Sequence, residues 1–99
     1  MLLFFDTTIS CMRITFDSAK DASNQEKHGV SLAEAARLDW DGMLVVQDMR
    51  HEYGEDRYRG IALLGGRLYS VVFTPRDETM RIISLRKASN TEIDAYEQS

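Results

Sequence analysis

The chain has 99 residues, 43% of them hydrophobic and 28% charged, which suits one soluble globular domain with a modest core and leaves no room for two. Its single cysteine, Cys11, excludes an internal disulfide or a cysteine metal motif, and a formal charge of −4 argues against indiscriminate nucleic-acid binding. The charge is uneven, with four basic and eight acidic side chains in residues 1–49, eight and five in residues 50–87, and none and three in residues 88–99. An anionic ligand would therefore find a local site on an acidic protein.

Met1-Leu2-Leu3-Phe4-Phe5 is apolar but lacks a basic region before it and ends at Asp6, too short for a signal segment or a membrane span. A cytoplasmic protein without membrane association is expected. Residues 1–11 are expected to be a leader outside the core, with residues 12–99 forming the single domain. Arg13–Phe16 predicts a short strand. Asp17 or Ser18 then caps a helix that runs to about His28 and closes at Gly29. Ser31-Leu32-Ala33-Glu34 has the capping-box pattern that opens a second helix, with Leu32, Ala35, Ala36 and Leu38 on its apolar side.

Met43–Val46 is an apolar run of strand length, followed by a polar loop from Asp48 to Glu55. Strands are then predicted at Arg57–Leu64, Arg67–Thr74 and Thr79–Lys87, joined by a Gly65-Gly66 turn and a longer Pro75–Glu78 turn. Ser89-Asn90-Thr91-Glu92 repeats the capping-box pattern and starts a short C-terminal helix, with Ile93 and Tyr96 facing inward. The predicted class is α+β: an N-terminal strand and two helices packed on an antiparallel β-meander, with a short C-terminal helix.

Thr79–Lys87 is β-branched and apolar on both parities, as a strand covered on both faces should be, yet three cations interrupt it. If Gly65-Gly66 is the first turn and Thr74 opposes Thr79 across the second, Arg59, Val72 and Arg81 form one row, with Arg57 one pleat away. Two strand spacings of ~4.8 Å would put the Cα atoms of Arg59 and Arg81 ~10 Å apart, close enough to clamp one phosphate. The same register sends Arg67 and Arg86 to the opposite face, with Arg86 ~16 Å from Arg81, unless a bulge near Ser84 re-aims it. Solvation, or ion pairs with Glu55, Asp56, Asp77 and Glu78, is the alternative to a clamp.

Lys27 and His28 fall in the last turn of the first helix, where the dipole favours cations, and an imidazole there could also move protons. His51, in the polar loop, is expected to be solvated. The two histidines lack metal-ligand spacing, and no phosphate loop, nucleotide fingerprint or nucleophile elbow is present, so no metal and no cofactor is expected. Glu55 could act as a base or simply pair with Arg57. Trp40 is expected to anchor the core rather than stack on bases.

Arg13-Ile14-Thr15-Phe16-Asp17, Lys20, Asn24, Lys27-His28-Gly29-Val30 and Ala35, followed by Asp48, Glu55-Asp56-Arg57-Tyr58, Arg81-Ile82-Ile83-Ser84-Leu85-Arg86-Lys87-Ala88 and Glu92, resemble BrnT-type toxins of bacterial type II toxin–antitoxin modules. The resemblance runs from Met12 to about Glu97. It implies a RelE-like fold and a metal-independent RNA endonuclease that inhibits translation. It also implies a BrnA-type antitoxin partner, with operator DNA contacted only through the antitoxin complex. The matching residues are Lys27, His28, Glu55, Arg57, Arg81 and Arg86. His28, Glu55, Arg57, Arg81 and Arg86 are the expected catalytic set, and Lys27, Arg59 and Lys87 the expected RNA contacts. Arg59 owes its place to the register alone. The residue types suit cleavage through the 2′-hydroxyl, which needs a base, cations for the pentavalent phosphorane and an acid for the leaving oxygen. The alternative is a non-catalytic module whose basic sheet face docks an acidic partner.

Overall fold

The computed structural model of the chain describes residues 13–47 and 56–99, so the leader, His51 and Glu55 lie outside the described residues. The strands are β1 (Ile14–Thr15), β2 (Leu44–Gln47), β3 (Tyr58–Leu64), β4 (Arg67–Arg76) and β5 (Thr79–Lys87). They form a mixed sheet in the order β1-β5-β4-β3-β2, in which β1 runs parallel to β5 and the other pairs are antiparallel. Helices α1 (Ser18–His28) and α2 (Asn90–Glu97) and a 3₁₀ helix (Leu32–Arg37) complete an α+β domain. No described helix is long and apolar enough to cross a bilayer.

Local chemistry accounts for the ends of α1. Asp17 is extended, and its carboxylate accepts from the Lys20 N–H at 3.0 Å, while Gly29 takes φ +74° and returns its N–H to the Gln25 carbonyl at 2.8 Å. Alanines are the only apolar residues in α1, so hydrophobic packing cannot hold it. Its one buried residue, Asn24, does that instead. Asn24 Nδ2 donates to the carbonyls of Leu85 (2.8 Å) and Val30 (2.9 Å), and Oδ1 accepts the Leu85 N–H at 3.1 Å. Because β1 pairs with β5 only at Met80 and Arg81, the Asn24 amide takes the place of a neighbouring strand at Leu85.

The second predicted helix is 3₁₀ rather than α. Ser31 Oγ accepts from Ala33, not Glu34, and the Glu34 side chain pairs with Arg37 at 3.0 Å, so no capping box closes. An α-helix would give the Ala35 carbonyl to the Asp39 N–H. Here the Trp40 indole takes that carbonyl at 2.8 Å, and Asp39 bonds the Leu63 carbonyl on β3 instead. Leu32, Ala35 and Leu38 still face inward, onto Ala62, Val71, Phe73, Ile82 and Leu85. Trp40 meets Phe73 edge to face, the core role expected of it.

The register of the second hairpin differs from the expected one. Pro75 and Arg76 extend β4, and the turn is Asp77-Glu78, with Asp77 at φ +53°, a conformation that aspartate tolerates. Pro75 lies beyond the last β3 pair, where β4 has only β5 as a neighbour among the described residues and a missing N–H costs little. Arg81 therefore opposes Thr74 and not Val72.

Candidate functional site

Directly paired residues share a sheet face, so the register fixes the arginine layout. Ile61, Ser70 and Arg86 form one row, Arg59, Val72 and Ser84 the next, and Thr74 and Arg81 a third. Continuing β3 back one residue brings Arg57 beside Thr74, whose hydroxyl bonds the Asp56 carbonyl. The core side chains of Phe73, Val71, Ile82 and Leu85 occupy the other face. Arg81 and Arg86, five residues apart, would point oppositely in a regular strand. A bulge corrects this, because Phe73 pairs with Ile82 and Val72 with Ser84, leaving Ile83 as the extra residue. Both arginines then lie on one face, and the four residue steps along β4 from Ser70 to Thr74 separate their rows by ~13 Å.

The far end of this face is closed by the protein's own carboxylate. Glu92, on α2, forms a two-pronged bond with Arg86, at 2.9 Å to each nitrogen, and lies 3.7 Å from Arg59, which also donates to Ser70 Oγ at 2.8 Å. Glu92 accepts the Ser89 N–H too, so one residue both caps α2 and pins it to the sheet. The expected pairing of Arg59 with Arg81 around an outside anion is thus replaced by Arg59 with Arg86 around Glu92. Burial alone would raise the Glu92 pKa, but hydrogen bonds from Arg86 and Ser89 and the charges of Arg86 and Arg59 outweigh it, leaving it at about 2.

The folded-state pKa lies below the ordinary value of 4.5, so this stabilisation is complete above that value and is lost as pH falls toward 2. Urea unfolding at pH 3 and pH 6 should differ by ~1–2 kcal/mol from this residue, after discounting for solvent screening, and the difference should shrink in Glu92→Gln.

The near end is open. Arg81 is half-buried and has no ion pair among the described residues, and Glu78, a suggested partner, lies 3.6 Å from Arg13 instead. Beside Ser84 the face meets an open cavity of about 170 Å³ between α1 and β5, lined by Lys20, Ser23, Asn24, Lys27, His28, Ile83 and Ser84. Lys27 and His28 are exposed in the last turn of α1 and reach this cavity. The expected residues Arg57, Arg59, Arg81 and Arg86 thus share a face with Lys27 and His28 at its border. Lys87 does not join them, since it pairs with Tyr69 on the other parity.

Lys20, Ser23, Ser84 and Glu92 escaped the sequence reading as site residues. The first two had a signal: Lys20, Ser23 and Lys27 at i, i+3 and i+7 line one side of a helix. Glu92 was visible only as a cap.

A family model described as "Ribonuclease toxin, BrnT, of type II toxin-antitoxin system" matches residues 16–92, a span containing all of these residues. No curated protein matches the sequence. Among solved structures, the chain is similar to the crystal structure of the Brucella abortus ribonuclease toxin BrnT. The TM-score is 0.63 at 27% identity, over 80% of this chain and 99% of that one.

Proposed function

This chain belongs to the BrnT family of ribonuclease toxins of type II toxin–antitoxin systems, and from that premise we propose that it cuts RNA at the open end of its arginine face, between Arg81 and α1. The observation that supports this reading is the bulge at Ile83, which puts Arg81 on the same face as Ser84, beside the cavity that Ser84 lines with Lys27 and His28. Membership of the family favours catalysis over the non-catalytic docking module.

In this reading the 2′-hydroxyl attacks the adjacent phosphorus, and Arg81, with Arg57 across Thr74, stabilises the charge that builds on the phosphorane oxygens. Lys27 adds a cation at the rim. His28 exchanges a proton with the 2′-oxygen or the leaving 5′-oxygen, and Glu55 is the second candidate for that work. Arg59 and Arg86, held by Glu92, brace the far end of the face and anchor α2. These groups supply base, acid and cation without a metal.

A type II toxin has an antitoxin protein as partner. We take that partner to be of the BrnA type, with operator DNA contacted only by the complex, and the fold to be RelE-like. An RNA substrate and an antitoxin inhibitor favour activity in the cytoplasm, where cutting RNA would arrest translation.

The test is product chemistry. Antitoxin-free protein in excess EDTA should cut an oligoribonucleotide to give 2′,3′-cyclic phosphate ends and should leave the all-2′-O-methyl version intact. Cleavage that stops with EDTA, or that persists on the methylated strand, would overturn the mechanism.

A further inference from the structure

The cavity between α1 and β5 has more cationic equipment than a single scissile phosphate needs. Lys20 and Lys27 stand two helical turns apart, ~10 Å along the axis, on the side of α1 that lines it. Neither ammonium has a carboxylate partner among the described residues, and no carboxylate lines the cavity. The acids nearest Lys20 in sequence, Asp17 and Asp21, are engaged elsewhere, and Glu26, next to Lys27, does not line the cavity. Asp17 caps the helix. Asp21 accepts from the Leu32 N–H at 2.7 Å, Ser31 Oγ at 3.0 Å and Gln25 at 3.0 Å, and the Leu32 bond is the main cause of its lowered pKa.

Ser23 from the helix and Ser84 from the strand add two hydroxyls with no hydrogen-bond partner among the described residues. Two lysines and two hydroxyls around a small concave space match the oxygens of a phosphodiester. No Phe, Tyr or Trp lines the cavity, whose one ring is the exposed His28 imidazole at the end of α1, so its lining is weighted toward backbone oxygens rather than base stacking. Through Ser84 it is continuous with the row next to Arg81.

We propose that this cavity is a second phosphate subsite, in which Lys20 and Ser23, with Lys27 and Ser84, grip the backbone phosphate next to the scissile one on a single-stranded RNA. The proposal rests on the reading that the scissile phosphate lies at Arg81. It gives α1 the task of setting the path of the strand across the bulge. Since it touches backbone only, this grip adds affinity equally for all sequences.

The probe is an all-2′-O-methyl RNA oligonucleotide, titrated by fluorescence anisotropy over a range of KCl concentrations against the full chain. Lys20→Ala should raise Kd roughly 3- to 10-fold, the effect expected of one partly exposed charged contact. The slope of log K against log salt should become shallower by about 0.7, one phosphate contact on a single strand. Lys20→Glu should weaken binding further, Lys20→Arg should restore most of it, and the loss should be uniform across probe sequences.

Lys20 is exposed, and circular dichroism checks that the variants fold. If Lys20→Ala and Lys20→Glu bind with the parent's Kd and slope, the subsite is wrong. Cleavage by Arg81→Ala separates the two ideas. Loss of cutting there, with parental binding in the Lys20 variants, removes the subsite alone, whereas full cutting by Arg81→Ala removes the reading on which it rests.

Discussion

Arg81→Ala should slow single-turnover RNA cleavage by about 10²- to 10³-fold, the usual effect of deleting one preorganised group that meets charge developing in the transition state. Several features single out this arginine among the four on the face. Arg59 and Arg86 already neutralise Glu92, whereas Arg81 has no ion pair among the described residues. Its backbone is fixed on both sides, by Thr74 on β4 and Thr15 on β1, so the guanidinium is presented from a rigid base. It also stands next to the bulge that opens toward Lys27 and His28. Arg81→Lys should recover only part of the rate, since a lysine keeps the charge but loses the planar fork that suits two phosphate oxygens. Because the guanidinium is only half-buried and braces no other charge, the unfolding midpoint of Arg81→Ala should stay near the parental one. A variant that folds and cuts RNA at the parental rate would move the scissile phosphate away from Arg81.

Asn24→Ala should destabilise the protein by ~3 kcal/mol, because the truncation leaves three backbone groups without their partner and an unmade bond in a buried setting costs ~1–3 kcal/mol per group, partly recovered by water. Those groups are the Leu85 N–H and carbonyl on β5 and the Val30 carbonyl after the helix. In a domain of this size the loss is a large share of the 5–15 kcal/mol that ordinary proteins have in total. It should appear as a fall of the urea midpoint by about 1–3 M with an unchanged slope. Asn24→Asp keeps the acceptor for the Leu85 N–H but faces two carbonyls with a carboxylate, so it should not rescue. A loss below 1 kcal/mol in both variants would mean that something other than Asn24 holds α1 to the sheet. In the proposed mechanism the same residue also matters for cleavage, since α1 brings Lys20, Lys27 and His28 to the cavity beside Ser84 and has no hydrophobic stripe to dock with.

The second half of the chain was the easier part to read. Gly65-Gly66 set the β3–β4 pairing that was observed, down to Arg59 opposite Val72, because a glycine turn flanked by two strand-like runs permits little else. The caps at Asp17, Gly29 and Ser89 also follow from short-range chemistry, since each bond spans three or four residues. The β4–β5 pairing was harder. A two-residue Asp77-Glu78 turn and a four-residue turn starting at Pro75 were both compatible with the local residues, and only strand pairing over the whole hairpin selects between them.

Sequence by itself determined the order and approximate extent of most elements, the concentration of cations in the sheet half and the placing of Lys27 beside His28 at the end of a helix, all consequences of propensity, capping and charge within a few residues. Tertiary structure decided the geometry of the site. Whether Arg86 shares a face with Arg81 depends on one extra residue, Ile83, and a bulge is fixed by how Ile82 and Leu85 both find the core opposite Phe73 and Val71. Which arginines are already neutralised depends on α2 folding back to lay Glu92 between Arg59 and Arg86. Where α1 stands depends on one amide completing the edge of β5. Each of these is a contact between residues distant in sequence, whose energy appears only when the chain has closed on itself.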